Sequence, residues 1–148
     1  MIKIICVGKI KENYLKDAIN EYTKRLTKYT RLEVTLLNDF SSYDAKEKEA
    51  DLILKNISKD DYIVTLEIEG KQMTSVELSK MIESQMINSK NITFIIGGSY
   101  GLSDRIKGIS NLSLSFSKLT FPHQLFRVIL LEQIYRSFKI LNNETYHK

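Results

Sequence analysis

An α/β fold with a mostly parallel sheet and helices on both faces is what this 148-residue chain predicts, on three observations. Short apolar strand runs such as Ile92-Thr93-Phe94-Ile95-Ile96 alternate throughout with segments of three- and four-residue periodicity. Each connection is long enough to carry a helix back across the sheet, so that both faces are covered. Ligands in open sheets sit outside the carboxyl ends of the strands, and here those ends are Leu66 to Gly70, Gly97 to Gly101 and Phe116 to Phe121.

The elements follow in order. Ile2, Ile4 and Ile5-Cys6-Val7 form a first strand ended by Gly8. Tyr14, Leu15, Ala18, Ile19, Tyr22, Leu26 and Tyr29 then make an apolar helical stripe of core or interface residues. Leu32 to Leu37 is a second strand. Ser41 to Asn56 is a helix whose run Lys46-Glu47-Lys48-Glu49 is a solvated face. A third strand, Tyr62 to Leu66, is closed by Glu67-Ile68-Glu69-Gly70-Lys71, and Thr74 with Glu77 has the spacing of a capping box opening the next helix. That helix carries Val76, Leu78, Met81, Ile82 and Met86 inward. Ile92 to Ile96 is the fourth strand, Ser103 to about Gly108 a short helix, and Leu112 to Phe116 the fifth strand. Pro122, the only proline, opens the last helix, where its missing N–H costs nothing. Leu125, Phe126, Val128, Ile129, Leu130, Leu131, Ile134, Tyr135 and Phe138 surround that helix almost completely, so it must be buried on more than one side; a second copy of the chain, in a homodimer, is the expected partner.

Composition bounds the function. With 43% hydrophobic and 27% charged residues, 1–148 reads as one domain with one sizeable core. No run of about 18 apolar residues predicts a membrane span, and Met1 to Val7 is too short for a signal peptide, so a cytoplasmic location is expected. A single cysteine, Cys6, and two histidines exclude an internal disulfide and argue against a metal site; Cys6 reads as core filling. Residues 1 to 31 carry eight Lys/Arg against three acids and residues 118 to 148 five against two, so both ends are basic and suit a polyanion if the fold joins them.

Several motifs are weaker than they look. Gly97-Gly98-Ser99-Tyr100-Gly101 formally matches the nucleophile elbow of hydrolases, with Asp104 and His123 following. The chain is short for that fold, Asp104 follows too closely, and oxyanion-hole glycines are missing. Gly8 stands alone after the first strand, without the further glycines of a dinucleotide fingerprint, and no G-K-[ST] phosphate loop exists. His123 and Arg127, one helical turn apart, can face the same anion or loop. The tail Asn142 to Lys148 would ordinarily read as frayed.

A wider pattern gives these features a common meaning. Val7-Gly8-Lys9, Glu21 to Leu26, Leu66 to Lys71, Ile95-Ile96-Gly97-Gly98-Ser99, Ser115 to Gln124, Glu132-Gln133-Ile134-Tyr135-Arg136 and the ending Tyr146-His147-Lys148 together resemble the ribosomal RNA large-subunit methyltransferase H family, of the SPOUT class, over essentially the whole chain. The resemblance implies a SPOUT-type fold with a trefoil knot in the carboxyl-terminal half, a homodimer, and methylation by S-adenosylmethionine of N3 of a pseudouridine in 23S rRNA, on the large subunit or whole ribosome. It places cofactor contacts at Leu66, Gly97, Phe116, Ser117, Lys118, Leu119, Thr120 and Phe121.

An imide N3–H has no available lone pair until its proton leaves, so a base or an anion-stabilising group is needed. His147 is the expected base, since histidine can be neutral near pH 7. Tyr146 is expected to stack on or orient the target, and Lys148 with Arg127 or Arg136 to hold phosphates. No metal is needed. The tail departs from the usual Arg-Gly-Glu-Pro-like approach, having Asn142-Asn143-Glu144-Thr145, which bears on how firmly it is held and leaves the cofactor positions unaffected. The competing reading is a non-catalytic RNA-binding relative that has lost cofactor affinity.

Overall fold

The computed structural model describes residues 1–88 and 90–148. Five strands, β1 (Ile2–Val7), β2 (Leu32–Leu37), β3 (Tyr62–Gln72), β4 (Ile92–Ile96) and β5 (Leu112–Ser115), form one sheet in the order β2-β1-β4-β3-β5, with every ladder parallel. The expected α/β class is therefore observed. Among the described residues five helices connect and follow the strands: α1 (Asn13–Leu26), α2 (Ala45–Lys55), α3 (Ser75–Ile87), α4 (Asp104–Gly108) and α5 (His123–Leu141).

Side chains on a strand alternate between faces, and the core divides accordingly. Ile2, Ile4 and Cys6 of β1, with Ile92, Phe94 and Ile96 of β4, pack with residues of α1, α3 and α5. Ile5, Val7, Ile63 and Ile95 point the other way, into a smaller cluster with Ala50 and Ile53 of α2 and Ile106 of α4. Burial on both sides explains why all five residues of β4 are apolar or, in Thr93, hydrogen-bonded: Thr93 donates to the Asp61 carboxylate at 2.9 Å, which Lys3 also contacts at 2.7 Å.

Three expectations shift. β3 runs to Gln72 rather than ending at Leu66, because the chain rejoins β5 after Gly70. Tyr14 and Val76, assigned to inward stripes, are exposed: each sits in the first turn of its helix, beyond the reach of the core. The capping box at Thr74 and Glu77 is complete in both directions.

Candidate functional site

β3, β4 and β5 end around a cleft of about 680 Å³, a volume typical of small-molecule sites. Each wall has a local cause. Leu114 of β5 pairs with both Leu66 and Lys71 of β3, so Glu67 to Gly70 leave the ladder, and Glu67, Ile68 and Glu69 line one side. The strand can return only at a glycine: a Cβ on Gly70 would lie 2.7 Å from the Ser113 carbonyl.

The second wall is the turn after β4. Gly101 N–H donates to Gly98 O at 3.0 Å, Gly101 has φ +79°, and a Cβ on Gly97 would approach the Gly101 carbonyl carbon to 2.9 Å. The third wall is the loop from β5 to α5. Ser115 Oγ donates to Ser117 O and Leu119 N–H to Ser117 Oγ, each at 3.0 Å, while Phe116 and Phe121 pack against Phe126, with centroids 5.0 and 6.1 Å away.

Leu66, Gly97, Phe116, Ser117, Leu119, Thr120 and Phe121 line this cleft, whereas Lys118 is exposed and does not. Ser99 sits exposed in the glycine turn, and among the described residues no hydrogen bond joins it to Asp104 or His123. Glu67, Ile68 and Glu69 fall within the strand end Leu66 to Gly70 that the sequence marks for a ligand, although only Leu66 was expected there as a contact; Phe126 was missed. On that strand end the one local signal for a bulge was Gly70, a glycine inside a strand pattern.

His123 also borders the cleft, half-buried, and burial followed by the nearby Arg127 charge holds its pKa below the ordinary histidine range. Arg127 itself is only 2% exposed, with Nη2 donating to Val7 O at 2.7 Å. The expectation that Arg127 grips phosphate at the surface is thus corrected, because this face of α5 packs down on the end of β1.

The tail lies elsewhere. Tyr146 donates from its hydroxyl to Glu132 Oε1 at 3.1 Å and sets its ring edge-on to Tyr135. Burial and the Glu132 charge push its phenol up to about 12. Arg136 is held by two bonds to Glu132 Oε1, of 2.6 and 3.0 Å, lies over the Tyr146 ring at 4.8 Å, and reaches His147 Nδ1 at 3.2 Å. Arginine only donates, so Nδ1 is the acceptor and a neutral His147 ring carries its hydrogen on Nε2.

Lys148 is exposed. None of Tyr146, His147 and Lys148 lines the cleft, and Glu132 and Arg136 stand about 13 to 20 Å along α5 from His123 at ~1.5 Å per residue. Seven of the eight positions expected to meet the cofactor thus come together in one chain, and the expected base is not among them.

What fastens the tail is new. Glu144 accepts from the Tyr29 hydroxyl at 2.7 Å and from Lys139 at 2.8 Å, with Lys28 at 3.7 Å, and Asn143 closes α5 in the left-handed region at φ 54°. Asparagine tolerates that conformation better than most side chains.

The family described as "Predicted SPOUT methyltransferase" matches residues 1–147. The chain belongs to the SPOUT methyltransferase family. Among curated SPOUT relatives, ribosomal RNA large subunit methyltransferase H of Clostridium tetani is 49% identical, and that of Clostridium botulinum strain Eklund 17B 51% identical, each over 99% of both chains. The SPOUT fold is also similar to a probable methylase family protein of Haemophilus influenzae, with TM-score 0.59 and 12% identity over 99% of this chain and 70% of that one. AviRb of Streptomyces viridochromogenes, a SpoU methyltransferase solved with AdoMet, has TM-score 0.51 and 8% identity over 92% of this chain and 57% of its own.

Proposed function

We propose that this SPOUT protein transfers a methyl group from S-adenosylmethionine to N3 of a pseudouridine in 23S rRNA, as a cytoplasmic homodimer acting on the large subunit or whole ribosome. The observation that carries this reading is the convergence of three strand ends on one cleft, at seven of the eight positions where the resemblance sets the cofactor. The names of the clostridial relatives support the substrate class. A knotted carboxyl-terminal half belongs to the same reading.

The cleft fits that cofactor. Leu66, Leu114 and Phe126 offer apolar surface for a flat base, tight backbone at Gly97 allows close approach, and Glu67 and Glu69 supply carboxylates that favour a cation. S-adenosylmethionine supplies a sulfonium-activated methyl group there. The chain's own residues must orient the target and handle the charge left when N3 loses its proton.

The tail carries groups for that task. With Nδ1 held by Arg136, His147 presents Nε2–H, a donor to an imide carbonyl; to take a proton it must release Arg136. Because this tail packs on its own α5 and not on its own cleft, the reading requires the tail of one protomer to serve the cleft of its partner.

The test is labelled-methyl incorporation into ribosomes with and without the pseudouridine, alongside calorimetry with S-adenosylmethionine. Pseudouridine-dependent labelling of 23S rRNA is expected. Absence of cofactor binding would sink the reading in favour of a non-catalytic relative.

A further inference from the structure

The two ends of the cleft differ in chemistry. Leu66 and Leu114 turn to the side of the sheet covered by α5, where Phe116 and Phe126 close an apolar end. Thr65 turns to the opposite side with Ile63, under α4, and there the wall is charged: Lys107 of α4 faces Glu67 of β3, with Nζ 3.8 Å from Oε1. The Glu67 carboxylate is held from behind. Its Oε2 accepts from the buried Thr65 hydroxyl at 2.6 Å, and Thr65 Oγ1, whose one hydrogen goes to Glu67, accepts in turn from Ser110 Oγ at 2.8 Å.

At 3.8 Å the two charges stand too far apart for a hydrogen bond, and among the described residues neither Lys107 Nζ nor Glu67 Oε1 makes one elsewhere. With side chains 46% and 18% exposed, such a pair contributes little to folding. It leaves a donor and an acceptor of opposite charge side by side on the wall of a cleft. An α-amino acid carries the complement, an ammonium and a carboxylate on one carbon. A phosphate or a simple cation would suit one of the two charges and be repelled by the other.

We infer that Glu67 and Lys107 hold the amino-acid end of S-adenosylmethionine, Glu67 Oε1 accepting from its ammonium group and Lys107 Nζ donating to its carboxylate, while the base lies at the apolar end against Leu66, Leu114 and Phe126. This rests on the proposed use of that cofactor and adds which way round it lies. Fixing both ends also fixes the direction of the methyl group between them.

S-adenosylhomocysteine and methylthioadenosine share the base, the ribose and an uncharged sulfur, and only the former carries the amino acid. Calorimetry with each therefore reads the charged end of the cleft independently of methyl transfer. Two charge-assisted contacts on a partly exposed wall give an expected preference for S-adenosylhomocysteine of about 10- to 100-fold. In Lys107→Ala, and separately in Glu67→Gln, that ratio falls by about 5- to 10-fold while affinity for methylthioadenosine is kept. A ratio that stays at the wild-type value in either variant, even with both affinities lowered together, overturns the inference and leaves the methyltransferase reading standing, as does a wild-type protein that binds the two compounds equally. A wild-type protein that binds neither of them, nor S-adenosylmethionine, removes both.

Discussion

Glu144 shows how one residue fastens the turn that leads into the last four residues, whose own hold is Tyr146 on Glu132 and Tyr135. Its hydrogen bonds from Lys139, and then from Tyr29, lower its carboxyl pKa to about 2 from an ordinary 4.5. A depressed carboxylate pKa means the anchoring is fully present above the unfolded value and is lost as pH falls through the folded one. Backbone amide signals of Tyr146 and Lys148 should therefore keep folded-state shifts at neutral pH and move toward mobile-chain shifts as pH falls from about 4.5 toward 2. In Glu144→Gln the same signals should already be shifted part-way toward mobile-chain values at pH 7, the remaining hold being that of Tyr146 on Glu132 and Tyr135, without loss of the core. Nothing in the sequence around Asn142 to Thr145 announced this, since Tyr29 is 115 positions away. At Cys6 the local sequence sufficed: an apolar strand residue reads as core, and burial, against the opposing Arg127 charge, pushes its thiol up to about 11. Alkylation at pH 8 should leave the folded protein unlabelled and label it on adding denaturant, because only the thiolate reacts; labelling at the rate of a free thiol would contradict this burial.

At the scale of elements, the strands and helices were legible because periodicity and burial agree along almost the whole chain. β1 and β4 are apolar on both faces, and both faces are covered. The departure of β3 was not legible, because Glu67-Ile68-Glu69 reads as a polar ending and only tertiary pairing brings Lys71 back opposite Leu114. The three walls at Leu66 to Gly70, Gly97 to Gly101 and Phe116 to Phe121 were found because strand carboxyl ends are where open sheets hold ligands, while the return of β3 to β5 after Gly70 needed the fold. Gly70 permits that return. In Gly70→Ala the new methyl meets the Ser113 backbone at 2.7 Å, and backbone cannot swing aside as a side chain does. Overpacking of this kind costs about 1 to 3 kcal/mol, and the displaced bulge should weaken S-adenosylmethionine binding. Paired denaturation and calorimetry check both; an alanine variant with unaltered midpoint and affinity would mean the pairing of β3 with β5 after Gly70 is not needed.

For the whole molecule, the question is how a cleft at one end of α5 and a tail folded against its other end serve one reaction. Basic residues at both chain termini do come together, since Lys28 of the α1 end and Lys139 of α5 share Glu144, and Arg25 lies over the Tyr22 and Tyr135 rings. That surface is beside the tail, not beside the cleft. A cis arrangement would require the tail to leave Glu132, Tyr135 and Glu144's partners and cross the length of α5; a trans arrangement requires only a two-fold pairing of chains. The two are separated by mixing inactive variants. His147→Ala removes the tail ring, and Thr120→Arg puts bulk and positive charge into the cleft from an exposed loop position, where it does not disturb the core. Random re-pairing of equal amounts makes half the dimers mixed, and each mixed dimer has one intact cleft facing one intact tail if the site is shared, so about a quarter of wild-type activity should return. If cleft and tail act within one chain, every site in the mixture carries a lesion and the activity stays at the level of the separate variants.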